Sequence, residues 1–123
     1  MKEESEKNQG IQERTFSFAL QIIQFCSILE HSGGVTRTLG QQILRSGTSI
    51  GANIEEGQGG QSKADFISKY SIARKEARET RYWLRLLIAS KLVPTMPAAK
   101  LLQETEETIK ILTTIILKSK QNL

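Results

Sequence analysis

Seven residues between Phe66 and Leu87 constrain the fold of this chain more than any other feature. They alternate spacings of four and three residues, which is the pattern of a helix that buries one stripe in a bundle. The residues are Phe66, Tyr70, Ala73, Ala77, Thr80, Leu84 and Leu87. The pattern predicts a helix with Ser62 as its N-cap and Asp65 in its first turn, ending near Lys91.

Apolar residues also recur at helical spacing before this segment. The first helix is predicted from about Gln12 to Glu30, and the pair Gly33-Gly34 ends it. One apolar row is formed by Phe16, Ala19, Ile23 and Cys26, and an adjacent apolar row by Phe18, Ile22, Phe25 and Leu29. Residues 1–10 show no apolar period, so they are predicted to be a disordered or frayed tail.

A second helix is predicted from about Thr36 to Glu56. Its expected row is Leu39, Ile43, Ser46, Ile50 and Ile54. Gly47 and Gly51 each cost about 1 kcal/mol relative to alanine inside a helix. We expect close approach of a neighbouring helix to compensate for them.

A fourth helix is predicted with Pro97 in its first turn. Its apolar row is Leu101, Thr105, Thr108, Leu112 and Ile115, with Leu102, Ile109 and Ile116 beside it. Short connectors make consecutive helices antiparallel neighbours. The fold class is therefore predicted as all-α, an antiparallel up-down-up-down four-helix bundle in one domain over residues 11–120.

The residue inventory disfavours catalysis and metal binding. Cys26 is the only cysteine and His31 the only histidine, so no disulfide, thiolate zinc site or histidine-based triad can be assembled within one chain. Both are interpreted structurally, Cys26 as core packing and His31 as a turn residue. No cofactor is expected, and the composition favours a non-enzymatic cytoplasmic protein without a membrane span.

Basic residues concentrate on the third helix. Residues 60–92 contain eight basic and three acidic residues, a net charge of +5, against +4 for the whole chain. At about 100° per residue, one narrow stripe holds Lys63, Arg74, Arg78, Arg81 and Arg85. Arginine forks match phosphate oxygens, so nucleic-acid backbone is one candidate partner. The alternative is that acids on neighbouring helices pair with the stripe, namely Glu55, Glu56, Glu104 and Glu107.

An extra apolar stripe lies on another flank of the third helix and consists of Ile72, Trp83 and Leu86. One interpretation is a subunit interface anchored by Trp83, because tryptophan often anchors such contacts. The other is a wide core stripe in a small bundle. Assembly into a ring would repeat the basic stripe and multiply weak phosphate contacts.

Two motifs resemble those of a known bacterial family of four-helix bundles. The first runs from Gln42 to Gly57, and the second comprises Asp65-Phe66 and the stretch from Ala73 to Leu84. The family is labelled ribosomal-protein-like because some members are encoded in intervening sequences within large-subunit ribosomal RNA genes. The similarity extends from about residue 16 to residue 116.

The resemblance implies a left-handed bundle that assembles as a ring-shaped homopentamer and has no known enzymatic activity. The chain also looks like the accessory variability determinant of diversity-generating retroelements, whose basic pentamer binds nucleic acid and a reverse transcriptase. The leading hypothesis is thus a homo-oligomer that binds RNA or DNA backbone through the basic stripe. The competing hypothesis is a protein-interaction scaffold that does not bind nucleic acid.

Overall fold

Four long helices account for nearly all of the part of the chain that is described. The computed structural model describes residues 2–121, and the side chains of residues 10–121. The helices are α1 (Lys2–Glu30), α2 (Gly34–Gln58), α3 (Lys63–Ala89) and α4 (Thr95–Gln121), and no strand occurs within those residues. The predicted all-α class is confirmed.

The helices form a ring of neighbours in which α1 contacts α2 and α4, and α3 contacts α2 and α4. Partners along α2 show the antiparallel direction. Gly40 lies against Leu29 of α1, whereas Gly47, two turns later, lies against the earlier Ile22. The predicted up-down-up-down bundle is therefore correct.

α1 begins earlier than the predicted start near Gln12. Its first turns are rich in Lys, Glu and Gln, which have high helix propensity and no apolar period, so periodicity alone does not detect them. The disordered or frayed tail is predicted over residues 1–10. Residue 1 lies outside the described residues, and only the backbone of residues 2–9 is described.

The core confirms the predicted rows of three helices. In α3 the row from Tyr70 to Leu87 is buried, with Phe66 packed against it. The α4 row is also buried, and in α2 only Leu39 of the predicted row is partly exposed.

Ser62 caps α3, because its hydroxyl accepts a hydrogen bond from the Asp65 backbone N–H at 3.1 Å. Pro97 follows a non-helical Met96, and the peptide bond between them is cis.

Of the two apolar rows predicted in α1, the structure buries one in full and only Cys26 of the other. The adjacent row, Phe18, Ile22, Phe25 and Leu29, is buried, while Phe16 is 60% exposed and Ile23 is 46% exposed. The reason is rotation of α1 about its axis: Ile22 and Leu29 face the α2 glycines, and this turns Phe16 and Ile23 toward solvent.

Candidate nucleic-acid interface

The basic stripe lies on the flank of α3 that is next to α4. A guanidinium nitrogen of Arg74 donates a hydrogen bond to the Thr113 hydroxyl of α4 at 3.4 Å, which locates this flank. Arg78, Arg81 and Arg85 follow Arg74 by four, seven and eleven residues in an uninterrupted helix, so they share its side. Arg78 and Arg85 are exposed, while Arg74 and Arg81 are half-buried.

Lys63, the fifth predicted site residue, lies about three helical turns before Arg74, at the start of α3. It is exposed and lines a shallow depression of about 300 Å³ together with Gly57, Gln58 and Ser119. The structure therefore places Lys63 at the end of the stripe. It belongs to the same flank as Arg74 by helical register, but its surroundings are the α2–α3 turn.

The stripe differs from the rest of the chain in its ion pairs. The three arginines outside it each contact a carboxylate: Arg14 pairs with Glu104, Arg37 with Glu30, and Arg45 with Glu76 and Glu79. Within residues 10–121, the four stripe arginines form no ion pair, and the only hydrogen bond among them is that of Arg74 to Thr113.

The acids considered as partners of the stripe are engaged elsewhere or unpaired. Glu104 contacts Arg14, Glu107 contacts Lys110, and Glu56 contacts Lys69. Glu55 forms no ion pair with the described residues. Among residues 10–121, therefore, these four acids do not form the ion pairs with the four stripe arginines that the alternative interpretation requires.

Two acids of α3 itself face the opposite flank. Glu76 and Glu79 both contact Arg45 of α2, and hydrogen bonding to this guanidinium lowers the pKa of the Glu79 carboxyl. The same contacts raise the pKa of Arg45. Positive charge on one side of α3 is therefore separated from negative charge on the other. Like charges at spacings of three and four residues repel one another, so the stripe mildly destabilises α3 when no anionic partner is bound.

The predicted interface residues of α3 lie outside the core stripe. Ile72 and Leu86 are each 38% exposed. Trp83 is half-buried, packs against the core and donates its indole N–H to Glu79 at 3.3 Å. Ile72 and Leu86 thus form free surface, whereas Trp83 has a structural role within one chain; their role in assembly stays a prediction.

Sequence reasoning missed a second exposed apolar surface. Phe16, Leu20 and Ile23 lie along one side of α1 and are between 46% and 60% exposed. Leu44 of α2, which is 39% exposed, borders a small depression shared with Ile23. We call these four residues the α1 surface. The signal in the sequence is the presence of two adjacent apolar rows in α1, only one of which a bundle core can accept.

Cys26 and His31, the residues considered as catalytic or metal-binding candidates, lie in the core and in a turn respectively. Cys26 is buried, its thiol donates to the Gly40 carbonyl at 3.3 Å, and burial raises the pKa of that thiol to about 11. His31 is exposed at the α1–α2 turn. Within the described part of the chain, no group of acids, histidines and cysteines could hold a metal ion. None of the described helices is long and apolar enough to cross a bilayer.

The fold and this surface define a class: an all-α four-helix bundle with a basic flank on its third helix. The chain belongs to the 23S rRNA-intervening sequence protein family, whose model matches residues 7–114. This finding confirms the family resemblance read from the two motifs.

Solved structures are similar to this chain, and one of them is similar to most of its length. It is the crystal structure of a protein of unknown function from the S23 ribosomal protein family of Bacteroides thetaiotaomicron. The two share 41% sequence identity with a TM-score of 0.82, over 89% of this chain and 97% of that one. No curated protein matches the chain.

Proposed function

We propose that this protein is a non-enzymatic homo-oligomer that binds RNA or DNA backbone through Lys63, Arg74, Arg78, Arg81 and Arg85. One observation carries the proposal: every arginine outside the stripe contacts a carboxylate, and none of the four within it contacts a carboxylate of residues 10–121. A row of guanidiniums without counter-ions matches a row of phosphates, because each fork can bind two phosphate oxygens.

Phosphate contacts of this kind position a nucleic acid without reading its sequence. Arg74, Arg78, Arg81 and Arg85 span eleven residues, about 16 Å along the helix axis. A single short stripe makes few contacts, so binding by one subunit should be weak. Assembly would repeat the stripe and raise the affinity through multivalency.

Assembly is part of the proposal and is supported by two apolar surfaces. Ile72 and Leu86 lie on α3, while Phe16, Leu20 and Ile23 lie on α1. Because these surfaces are on different sides of the chain, covering both favours head-to-tail association of copies, which closes into a ring when the rotation permits. Five is the subunit number that the family resemblance implies. The matched family is that of the intervening-sequence proteins, so the proposal does not extend to a reverse transcriptase partner.

The assembly half of the proposal is tested by molar mass. Light scattering after size-exclusion chromatography should give a multiple of the 13.8 kDa chain mass. Replacing Leu86 and Ile23 by serine should lower that mass without loss of helical circular dichroism, because both side chains are exposed within one chain. A wild-type protein that elutes as a monomer would contradict this half.

The binding half is tested by fluorescence anisotropy with a labelled RNA hairpin and a matching DNA duplex. Wild type is compared with the double variant Arg78→Glu/Arg81→Glu at two salt concentrations. We expect the affinity to fall with salt, with a log–log slope of about 0.9 for each duplex phosphate that the protein neutralises, and a shallower slope in the double variant. A matched control is Arg37→Glu/Lys100→Glu, which changes the charge equally on exposed positions of α2 and α4.

The scaffold function is the second candidate, and the exposed apolar surfaces of α1 and α3 favour it. It predicts an intact oligomer that binds neither probe at moderate ionic strength. An equal decrease of binding in the stripe variant and in the control would also count against a stripe-specific site.

A further inference from the structure

An exposed aromatic ring lies beside the basic stripe. Tyr82 is 53% exposed, and its hydroxyl forms no hydrogen bond with the described residues. Tyr70, the other tyrosine, is fully buried and accepts a hydrogen bond from Gln58. Tyr82 therefore contributes little to the core, and its ring is available to a partner.

Three arginines of the stripe lie next to this ring along α3. Arg78 precedes Tyr82 by four residues and Arg85 follows it by three, so both are its helical neighbours. Arg81 is adjacent in sequence. The ring thus lies next to three guanidiniums that form no ion pair with the described residues.

The position of the ring is supported from one side. Tyr82 makes an edge-to-face contact with Trp83, with ring centroids 5.4 Å apart and an interplanar angle of 69°. The indole is itself held by its hydrogen bond to Glu79, and Glu79 is held by Arg45. This chain of contacts restricts the aromatic pair before any ligand binds, which lowers the entropy cost of using the ring.

Proteins recognise single-stranded nucleic acid with two components, namely guanidiniums that bind phosphates and an exposed aromatic ring beside them. Bases stack on aromatic side chains while basic residues follow the backbone. In a duplex the bases are already stacked on one another, so the ring would find no base face.

We infer that the α3 surface takes single-stranded nucleic acid, with an unpaired base stacked on Tyr82 and flanking phosphates on Arg78, Arg81 and Arg85. This inference rests on the proposed function and narrows its ligand class.

The test compares Tyr82→Ala and Tyr82→Phe with wild type. The probes are a labelled oligouridine strand and an RNA duplex of the same length, in anisotropy titrations at one salt concentration. Wild type should bind the strand more tightly than the duplex. Tyr82→Ala should weaken strand binding by roughly tenfold or more, because one base stack on an aromatic ring contributes on that order. Tyr82→Phe should retain the affinity, and duplex binding should change little in either variant.

A matched control is Ile28→Ala, which removes an exposed apolar side chain of α1 and should leave both affinities unchanged. A strand containing 2-aminopurine adds a direct readout, since its fluorescence changes when the base stacks on the ring of wild type and not in Tyr82→Ala.

Equal affinity for strand and duplex, or an equal decrease for both probes in Tyr82→Ala, would overturn the inference while leaving the proposed function standing. A lower oligomer mass for Tyr82→Ala would also overturn it, because the ring would then belong to a subunit interface. Failure of wild type to bind either probe would instead refute the proposed function.

Discussion

Two glycines of α2 should respond in opposite directions to the same substitution. An ideal Cβ at Gly47 would lie 2.9 Å from Cγ1 and 3.0 Å from Cγ2 of Ile22, which is fully buried. At Gly51 the nearest atoms are the carbonyl and hydroxyl oxygens of Thr15 at 3.4 Å, an ordinary van der Waals distance. Close approach of α1 therefore requires glycine at Gly47 but tolerates alanine at Gly51.

The magnitudes follow from two opposing contributions. Alanine favours the helix over glycine by about 0.5–1 kcal/mol at either position. At Gly47 the added methyl group overpacks a stiff β-branched side chain in the core, which costs about 1–3 kcal/mol. We expect Gly47→Ala to destabilise the fold by about 1 kcal/mol and Gly51→Ala to stabilise it by about 0.5–1 kcal/mol.

Urea unfolding followed by circular dichroism measures both variants, at one protein concentration because assembly contributes to stability. A double-mutant cycle with Ile22→Ala isolates the contact, since Gly47→Ala should lose most of its cost once the isoleucine is truncated. The reasoning is refuted if the two glycine variants are equally stable, or if Ile22→Ala leaves the cost of Gly47→Ala unchanged.

Three further predictions concern single side chains. Thr80→Val removes the hydroxyl that lies 2.9 Å from the Ser46 hydroxyl across α2 and α3 and should cost about 1 kcal/mol in urea unfolding. Hydrogen bonding to Arg45 lowers the pKa of Glu79, so this pair stabilises the fold above the ordinary carboxyl pKa of 4.5, and the contribution is lost as the pH falls through the lower folded value. Glu79→Gln should therefore lose less stability than wild type as the pH falls from neutral to below 4.5. Cys26 should resist a thiol reagent in the native protein and react only on unfolding, because it is buried with a pKa of about 11.

The α3 row was predictable because its period leaves one choice of buried face. Tyr70, Ala73, Ala77, Leu84 and Leu87 follow it without a break, and all are buried. The extra apolar stripe of Ile72, Trp83 and Leu86 is shorter and irregular, so it does not compete for the core. In α4 the positions beside the predicted row, Leu102, Ile109 and Ile116, are also apolar and pack in or against the core. Assigning the wrong one of these two rows to the core would therefore still predict the same buried face. Where an apolar pattern is unambiguous, local sequence and tertiary packing agree.

Which face of α1 is buried could not be predicted from its apolar period. Phe16 and Ile23 form a helical row as regular as that of Phe18 and Ile22, and hydrophobicity alone cannot rank them. The choice depends on α2, because Gly47 leaves a hollow that only the row containing Ile22 fills. Such information lies in the fit between two helices, and the period of one helix does not contain it.

The basic stripe is the place where the local and tertiary patterns of this chain disagree. Its register could be read from the sequence, since Arg74, Arg78, Arg81 and Arg85 fall on one side of any continuous helix. The absence of ion pairs at these four arginines could not be read from the sequence, because it depends on where the acids of other helices lie. Among residues 10–121, the fold brings acids to the remaining arginines and to none of these four. Violations of local rules in an otherwise consistent fold are expected at functional sites. A polyanion bound on the stripe would therefore relieve the repulsion among these like charges.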